Sequence, residues 1–253
     1  MAEKRTYSLL LSYEGSAFCG WHTQINAPTV QGTLNEVLSI LYSKKIFVWG
    51  AGRTDSGAHA LQYRAHYRTH NDCLPKDRIK SILNSKLPAE IRVYDVQEVS
   101  NKFHATFCCK ARTYCYFMHI GEVLPPRFHK KVFHEWESLD IKLLTEVLPL
   151  FKGTHDFSQF CYGYSAQEKT KKTMIRRIDY FYAKQVGDYI VFFIKGEGFL
   201  RGMIRTLIGT SLSVAKGIIT IDEIKDSLNG QALPLKKWRP VPAEGLFFKR
   251  AHY

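Results

Sequence analysis

Asp55 lies in Gly52-Arg53-Thr54-Asp55-Ser56-Gly57-Ala58-His59-Ala60, a short polar stretch bounded by glycines. An arginine precedes it by two residues and a histidine follows it by four. Glycines at both sides permit positive φ and a close backbone approach to something bulky. Cations and hydrogen-bond donors that gather round a carboxylate favour its ionised form. A fixed, ionised aspartate can serve as a metal ligand, a general base or a covalent nucleophile. The same residues also make an ordinary Asp-Ser-Gly surface turn with Arg53 as a solvated partner, and local composition alone does not separate the two.

Four other stretches could carry chemistry. In Ala111-Arg112-Thr113-Tyr114 a tyrosine opens a strand just after cations, a position where tyrosine is more often sheet filler. Gly198-Phe199-Leu200-Arg201-Gly202-Met203-Ile204-Arg205 sets two arginines four apart in a helical pattern, so that both would project from one side. Pro242-Ala243-Glu244-Gly245-Leu246 precedes a short apolar run. Lys169, Lys171, Lys172, Arg176 and Arg177 crowd five cations ahead of a strand that ends near Tyr182, a charge run suited to phosphates.

The elements around these stretches are legible from periodicity. Tyr7, Leu9, Leu11 and Tyr13 alternate as a strand, and an aromatic, glycine-containing loop (Phe18 to Gln24) follows. Val30, Leu34, Val37, Leu38 and Leu41 form a helical stripe behind the candidate cap Thr29. Phe47 to Ala51 reads as a strand that delivers the Asp55 loop, Leu61 to Thr69 as another, 79–87 as a short helix and Ile91 to Val99 as a fourth strand. Strand, helix, strand, strand, helix, strand is the order of a ferredoxin-like or RNA-recognition unit. The second half gives a strand from Arg112 to His119, a loop from Gly121 to His134, and a helix through Ile141, Leu144, Leu148 and Phe151. It continues with a strand from Tyr189 to Lys195, a helix through Phe199 and Leu212, a capping box at Thr220-Ile221-Asp222-Glu223 and a closing strand from Leu246. The expected fold is α+β, with two similar sheet-and-helix units: residues 1–100 carrying the aspartate loop and residues 101–253 completing the site.

The 253 residues suffice for one large or two modest domains, and 45% hydrophobic content is that of a globular protein. No apolar run approaches the ~18 residues of a membrane span, and the first residues lead straight into a strand-like segment. A cytoplasmic protein with no membrane partner is expected. Lysines and arginines outnumber acids 36 to 23, a formal charge of +13, which points to a polyanionic partner and to nucleic acid first. The six cysteines form no CxxC pair, so reduced core thiols are expected rather than a disulfide framework or zinc site, with Cys108-Cys109 buried or half-buried. P-loop and dinucleotide fingerprints are absent from the sequence, and neither a metal nor a cofactor is expected.

The nonapeptide resembles the Gly-Arg-Thr-Asp-Ala-Gly-Val-His-Ala signature of the tRNA pseudouridine synthase A family, and matches run from the first strand to the last. The resemblance implies a pseudouridine synthase fold with a central basic cleft and a metal-free isomerisation of uridine to pseudouridine. Its target is expected in the anticodon stem-loop of tRNA (positions 38–40), and the enzyme is expected to work as a homodimer. It implies that Asp55 is the catalytic nucleophile or base and that Arg205 pairs with it. Tyr114 would lie against the target base, Arg53 could fill the vacated stack, and Leu246 would border the site. Trp21 and Gln31 lie near a family Gly-Trp-Gln-x-Gln segment in which His22 replaces the first glutamine; packing is the commoner role for such residues. Ser56, Ala58, Tyr63 and Gly202 also depart from the pattern, which bears on the target position rather than the reaction class.

Three other readings are weighed against this one. A non-catalytic RNA-binding module would bind without Asp55 and make no product. A synthase of the same superfamily would modify another RNA position. A carboxylate-dependent hydrolase would need a second acid at a set distance, and no other Asp or Glu sits in a comparable loop.

Overall fold

The computed structural model describes residues 4–70, 74–164, 173–231 and 239–253. The chain divides into two compact α+β units, one made of Met1–Arg112 with Phe247–Tyr253 and the other of Thr113–Leu246.

The first unit follows the expected order: β1 (Arg5–Tyr13), α1 (Val30–Leu41), β2 (Val48–Gly50), β3 (His59–Thr69), α2 (Lys76–Lys86) and β4 (Ile91–Val99). Strand β1 pairs antiparallel with both β3 and β4, and β2 pairs antiparallel with β3. Period-two alternation explains the core. The register sets Tyr7 opposite Tyr67, Leu9 opposite Ala65 and Leu11 opposite Tyr63, and all six are buried. Val30, Leu34 and Leu38 of α1 and Ile79 and Leu83 of α2 are buried as well, each such side chain stabilising the fold by about 1.5–3 kcal/mol. Thr29 caps α1 by accepting from the Gly32 N–H at 3.2 Å, as the sequence suggests.

One feature of this sheet shapes the loop that matters. The outer edge of β3 is shared between two strands. Strand β2 pairs with Ala65–Tyr67, whereas the closing strand β10 (Leu246–His252) runs parallel beside His59, Ala60 and Gln62. The chain between Gly50 and His59 therefore has no place left on that edge and must leave the sheet. Residues 51–58 do so as the Asp55 loop.

The second unit contains β5 (Ala111–His119, from Thr113 onward), β6 (Phe133–His134), α3 (Ile141–Val147), β7 (Gly153–Asp156), β8 (Ile175–Val186), β9 (Tyr189–Gly196), α4 (Met203–Ala215) and α5 (Ile221–Leu228). Strand β9 lies between β5 and β8. The sequence order β5-α3-β8-β9-α4 and sheet order β5–β9–β8 repeat β1-α1-β2-β3-α2 and β1–β3–β2 of the first unit. Helix α4 packs on α3, and Arg205 is the single residue of α4 that is not buried. A helix buried nearly all round belongs in a core, and Arg205 is the single charged residue of this one.

Some expectations move. Helix α4 begins at Met203 rather than at Phe199, because Gly202 takes φ +68° and the preceding residues turn away. Arg201 thus lies outside the helix, and the two arginines do not share a helical face. The expected 121–134 loop contains the short strand β6, paired parallel with β5. Cys109 is half-buried as expected, but Cys108 is exposed, because 101–110 forms a surface loop; the five described cysteines are free thiols. Among the described residues no helix is long and apolar enough to cross a membrane.

Candidate active site

The Asp55 loop is held by backbone bonds on one side. Trp21 donates its N–H to the Thr54 carbonyl at 3.3 Å, and Gly57 donates to the Phe18 carbonyl at 3.3 Å. Ala58 N–H closes the turn onto the Asp55 carbonyl at 3.1 Å. Gly20 makes this approach possible. Its φ is +87°, and a Cβ there would stand 2.7 Å from the Thr54 oxygen. The Tyr13 hydroxyl meets Thr54 Oγ1 at 2.9 Å.

The other side of the loop is held through Tyr63. Its buried hydroxyl donates to the Gly52 carbonyl and accepts the Gly52 N–H at 3.3 Å. Its ring packs on Trp21 at 4.3 Å, so Trp21 has the packing role weighed above. Gln31 is structural too, donating to the Val48 carbonyl at 2.7 Å and accepting from Thr23 N–H at 2.9 Å. Arg112 Nε donates to the Ala51 carbonyl at 2.8 Å. His59 is buried, accepts the Gly15 N–H on Nδ1 at 3.1 Å and stacks on Phe247 at 4.4 Å. That acceptor role places its proton on Nε2. It is a strut for the loop rather than a partner for chemistry.

The result is a carboxylate whose backbone is fixed at both ends while its side chain stays half-exposed. Arg53, two residues earlier, is exposed. Such a group is pre-organised for attack or proton abstraction, with the ordering entropy already spent in folding.

The second unit arranges its candidates by a different device. Arg205 donates from Nε to the Val241 carbonyl at 2.7 Å and from Nη1 to the Tyr162 hydroxyl at 2.6 Å, with its guanidinium 5.8 Å from the Tyr162 ring centre. Val241 N–H returns to the Arg205 carbonyl at 3.1 Å. Arg201, exposed, lies over Gly163 and donates its backbone N–H to the Tyr164 hydroxyl at 3.2 Å. Tyr114 is buried, its ring edge-on to Phe199 at 5.4 Å. Leu246 is buried at the start of β10.

Tyr116 is almost wholly buried and donates its hydroxyl to the Pro242 carbonyl at 3.0 Å. Burial pushes its phenol well above the ordinary range, against a smaller opposing pull from the Arg205 charge, so it remains a neutral donor. Val241 and Pro242, which hold Arg205 and Tyr116, also line a cavity of about 360 Å³ with Leu212 and Ile218. There Lys216 bridges Glu135 at 2.9 Å and Glu137 at 3.2 Å.

Of the cationic run, Arg176 is half-buried and bonded to the Thr173 and Ile175 carbonyls at 3.0 and 2.6 Å. Exposed Arg177 pairs with Asp179 at 3.4 Å, and Asp179 also meets Lys195 at 3.3 Å. Lys169, Lys171 and Lys172 lie outside the described residues. Asp55 and Arg53 thus belong to the first unit and Tyr114, Arg176, Arg177, Arg205 and Leu246 to the second. Sequence reasoning missed Tyr162, although Cys161-Tyr162-Gly163-Tyr164 is an aromatic–glycine cluster of the kind that supports a site. It also read Tyr63 only as a departure from a pattern.

Comparison with known proteins defines the class first. Residues 148–253 match the family described as tRNA pseudouridine synthase. Over 249 residues the chain is 33% identical to tRNA pseudouridine synthase A of Acetivibrio thermocellus, covering 98% of this chain and the whole of that protein. It is 32% identical to tRNA pseudouridine synthase A of a Geobacter species, covering 98% and 99% of the two chains. It is 31% identical to tRNA pseudouridine synthase A 2 of Clostridium perfringens, covering 98% and 100%. A chain of a solved Cbf5–Nop10–Gar1 complex shares 14% identity and a TM-score of 0.36 over 81% of this chain and 45% of its own. The chain belongs to the tRNA pseudouridine synthase A family, whose members are isomerases.

Proposed function

We propose that this protein converts uridine to pseudouridine in the anticodon arm of tRNA, with Asp55 as the reacting carboxylate. The reaction breaks the N1–C1′ bond, turns the uracil and forms a C5–C1′ bond; the C5 proton leaves and N1 takes up a proton. The net change is an isomerisation. One fixed carboxylate suffices for it, either adding to the substrate or deprotonating the sugar. The observation that carries this reading is the Asp55 loop, held at both ends by main-chain and Tyr63 bonds and bearing a half-exposed carboxylate.

The remaining roles follow the chemistry of an extruded base. Flipping a nucleotide costs a few kcal/mol of stacking, which exposed Arg53 can offset by occupying the gap. Tyr114 offers a ring to the base and Leu246 an apolar boundary. Arg205 serves as the cation of the reaction, a role supported by the rigid hold of Val241 and Tyr162 on its guanidinium. Arg176, Arg177 and the three lysines before them bind phosphates, the protein acts as a homodimer, and the cytoplasm is its compartment.

The test is incubation of the purified protein with unmodified tRNA transcripts, followed by chemical mapping of pseudouridine, with Asp55→Asn in parallel. Wild type is expected to give product in the anticodon arm. The variant, equally stable, is expected to lose at least about a thousandfold in rate. Product at another position would revise the substrate and leave Asp55 in place. Product from the variant would remove Asp55 from the chemistry.

A further inference from the structure

A second feature of the first unit is a set of rings that the loop chemistry does not use. Phe47 and Trp49 stand two residues apart, so the extended chain directs both to one face while Val48 and Gly50 are buried on the other. The β2–β3 register sets Trp49 opposite His66, and the two rings stack at 5.1 Å and 21°. Phe47 meets Trp49 edge-on at 4.9 Å, His104 lies 4.7 Å from His66, and Phe107 lies 4.3 Å from His104. The base of this array is buried and its rim is open: Phe107 is 84% exposed and Phe47 39%.

The exposed rim is not a loose flap. Ala105 N–H donates to His66 Nδ1 at 3.1 Å, Thr106 Oγ1 to the Gly50 carbonyl at 2.6 Å, and Arg112 Nη2 to the Thr106 carbonyl at 3.1 Å. The Tyr253 hydroxyl closes the same loop onto the Ala105 carbonyl at 2.8 Å. A large apolar ring held rigidly in solvent marks a contact surface. Both imidazoles are held below their ordinary range, His66 to about 4 by burial and by the neighbouring His104 and Arg68 charges, so the array is neutral at physiological pH.

Charge identifies the occupant. Residues 44–70 and 101–112 hold eight lysines and arginines, and Asp55 is their only carboxylate. The Arg68 guanidinium sits 5.7 Å over the Trp49 ring. Flat neutral rings in a segment with eight cations and one carboxylate match a base with its phosphate. The array also joins the reacting loop directly, since Thr106 and Arg112 bond to Gly50 and Ala51, the residues that lead into Gly52–Asp55.

We propose that Phe47, Trp49 and Phe107 form a stacking platform for an unpaired nucleotide of the substrate RNA flanking the target uridine. This rests on the isomerase reading for its substrate. The platform sets affinity and register, while the carboxylate sets rate.

The decisive variant is Phe107→Ala, whose side chain is exposed enough to leave the fold intact, with Phe107→Trp as the conservative rescue. Loss of one stacked base is expected to raise KM and Kd for an anticodon-arm stem-loop about tenfold and to leave kcat within about twofold. Phe107→Trp restores affinity. Stem-loops with single abasic sites beside the target uridine should lose the same factor with wild type. One of them should lose nothing further with Phe107→Ala, which pairs the ring with that base. Unchanged affinity of Phe107→Ala overturns the proposal and leaves the patch to a protein partner, and equal losses on intact and every abasic RNA overturn it as well. Platform-dependent binding without any product would sink the isomerase reading while keeping the stacking surface; product with no effect of Phe107→Ala would do the reverse.

Discussion

The two units each present one charged group from a rigid frame, and they hold it by opposite means. Asp55 is fixed through its backbone: bonds from Trp21 and Gly57 and the double contact of the Tyr63 hydroxyl locate the chain, while the carboxylate stays half-exposed. Arg205 is fixed through its side chain: the guanidinium is bonded to Val241 and Tyr162, and the surrounding helix is buried. The difference follows from the chemistry each charge can do. A half-exposed carboxylate can be positioned by ordering the chain that carries it, one bond further back. A stabilising cation works by its field and can be bonded at its own nitrogens. Supports of the loop and supports of the arginine should therefore fail differently.

The largest expected effect comes from the two glycines that allow these arrangements. Gly20 and Gly202 both have positive φ. A methyl group on Gly20 would stand 2.7 Å from the Thr54 oxygen and 3.3 Å from the Asp55 carbonyl carbon, whereas on Gly202 it would stand 1.9 Å from the Tyr162 ring. Each alanine substitution should cost about 2–4 kcal/mol, from left-handed strain plus overpacking, seen as a lower denaturant midpoint. Their catalytic signatures should separate. Gly20→Ala moves the chain that carries the reacting atoms and should lower kcat more than its stability loss accounts for. Gly202→Ala can be accommodated by a swing of the Tyr162 ring and should leave more residual activity. Equal loss of kcat at equal stability would break the contrast between backbone-held and side-chain-held charge.

Acid should distinguish the two regions next. His66 is buried, and burial together with His104 and Arg68 lowers its pKa from 6.5 to about 4. The unfolded chain binds a proton there between pH 6.5 and about 4 and the folded chain does not. The stability that the neutral ring confers is therefore fully present above 6.5 and is lost as pH falls towards 4. By linkage the loss is at most about 3 kcal/mol. Denaturant midpoints measured from pH 7 to pH 4 should fall over this window for wild type and much less for His66→Gln. Protonation also removes the acceptor that Ala105 uses, so amide exchange should rise first in 101–110. A profile that is flat between pH 6.5 and 4 would show that His66 is not a strut of that loop.

How much of this could be read from the chain differs between the same two regions. The first unit was legible nearly throughout, because alternation in Tyr7–Tyr13 and the stripe Val30–Leu41 are strong period signals, and the nonapeptide announced its own loop. Its outlines moved by only a few residues. The path taken by residues 51–58 was not legible, since it depends on β10 taking half of the β3 edge from the far end of the sequence. Nor was the hydroxyl bridge of Tyr63, which needs a register to place the ring beneath Gly52. In the second unit the capping box at Thr220 formed as the sequence suggested, with Glu223 N–H donating to Thr220 Oγ1 at 3.1 Å and Thr220 N–H to Glu223 at 2.8 Å. The pattern through Phe199, Met203 and Leu207 suggested a helix that starts four residues early. Local apolar spacing continues across Gly202, but the left-handed turn there breaks the helix, and the Tyr162 ring against that glycine leaves no room for a Cβ. Tyr162 itself was invisible for the same reason: its role is a long-range hydrogen bond with no period to betray it.

The smallest predicted effect is the sharpest comparison, because it removes one oxygen from each frame. Tyr63→Phe deletes the hydroxyl that both donates to and accepts from Gly52, leaving a half-buried loop carbonyl and amide to find other partners. Tyr162→Phe deletes the acceptor of Arg205 Nη1 but keeps the ring beneath the guanidinium and the Nε bond to Val241. Each loss is worth about 1 kcal/mol in stability. For Tyr63→Phe the freed atoms belong to Gly52, next to Arg53 and three residues from Asp55, so the loop gains freedom and kcat should fall several-fold with KM nearly unchanged. For Tyr162→Phe the guanidinium keeps its bond to the Val241 carbonyl, and kcat should fall about twofold. Single-turnover rates on a saturating tRNA substrate measure both without interference from product release. A larger loss from Tyr162→Phe than from Tyr63→Phe would mean that the arginine, and not the carboxylate, is the group whose placement limits the reaction.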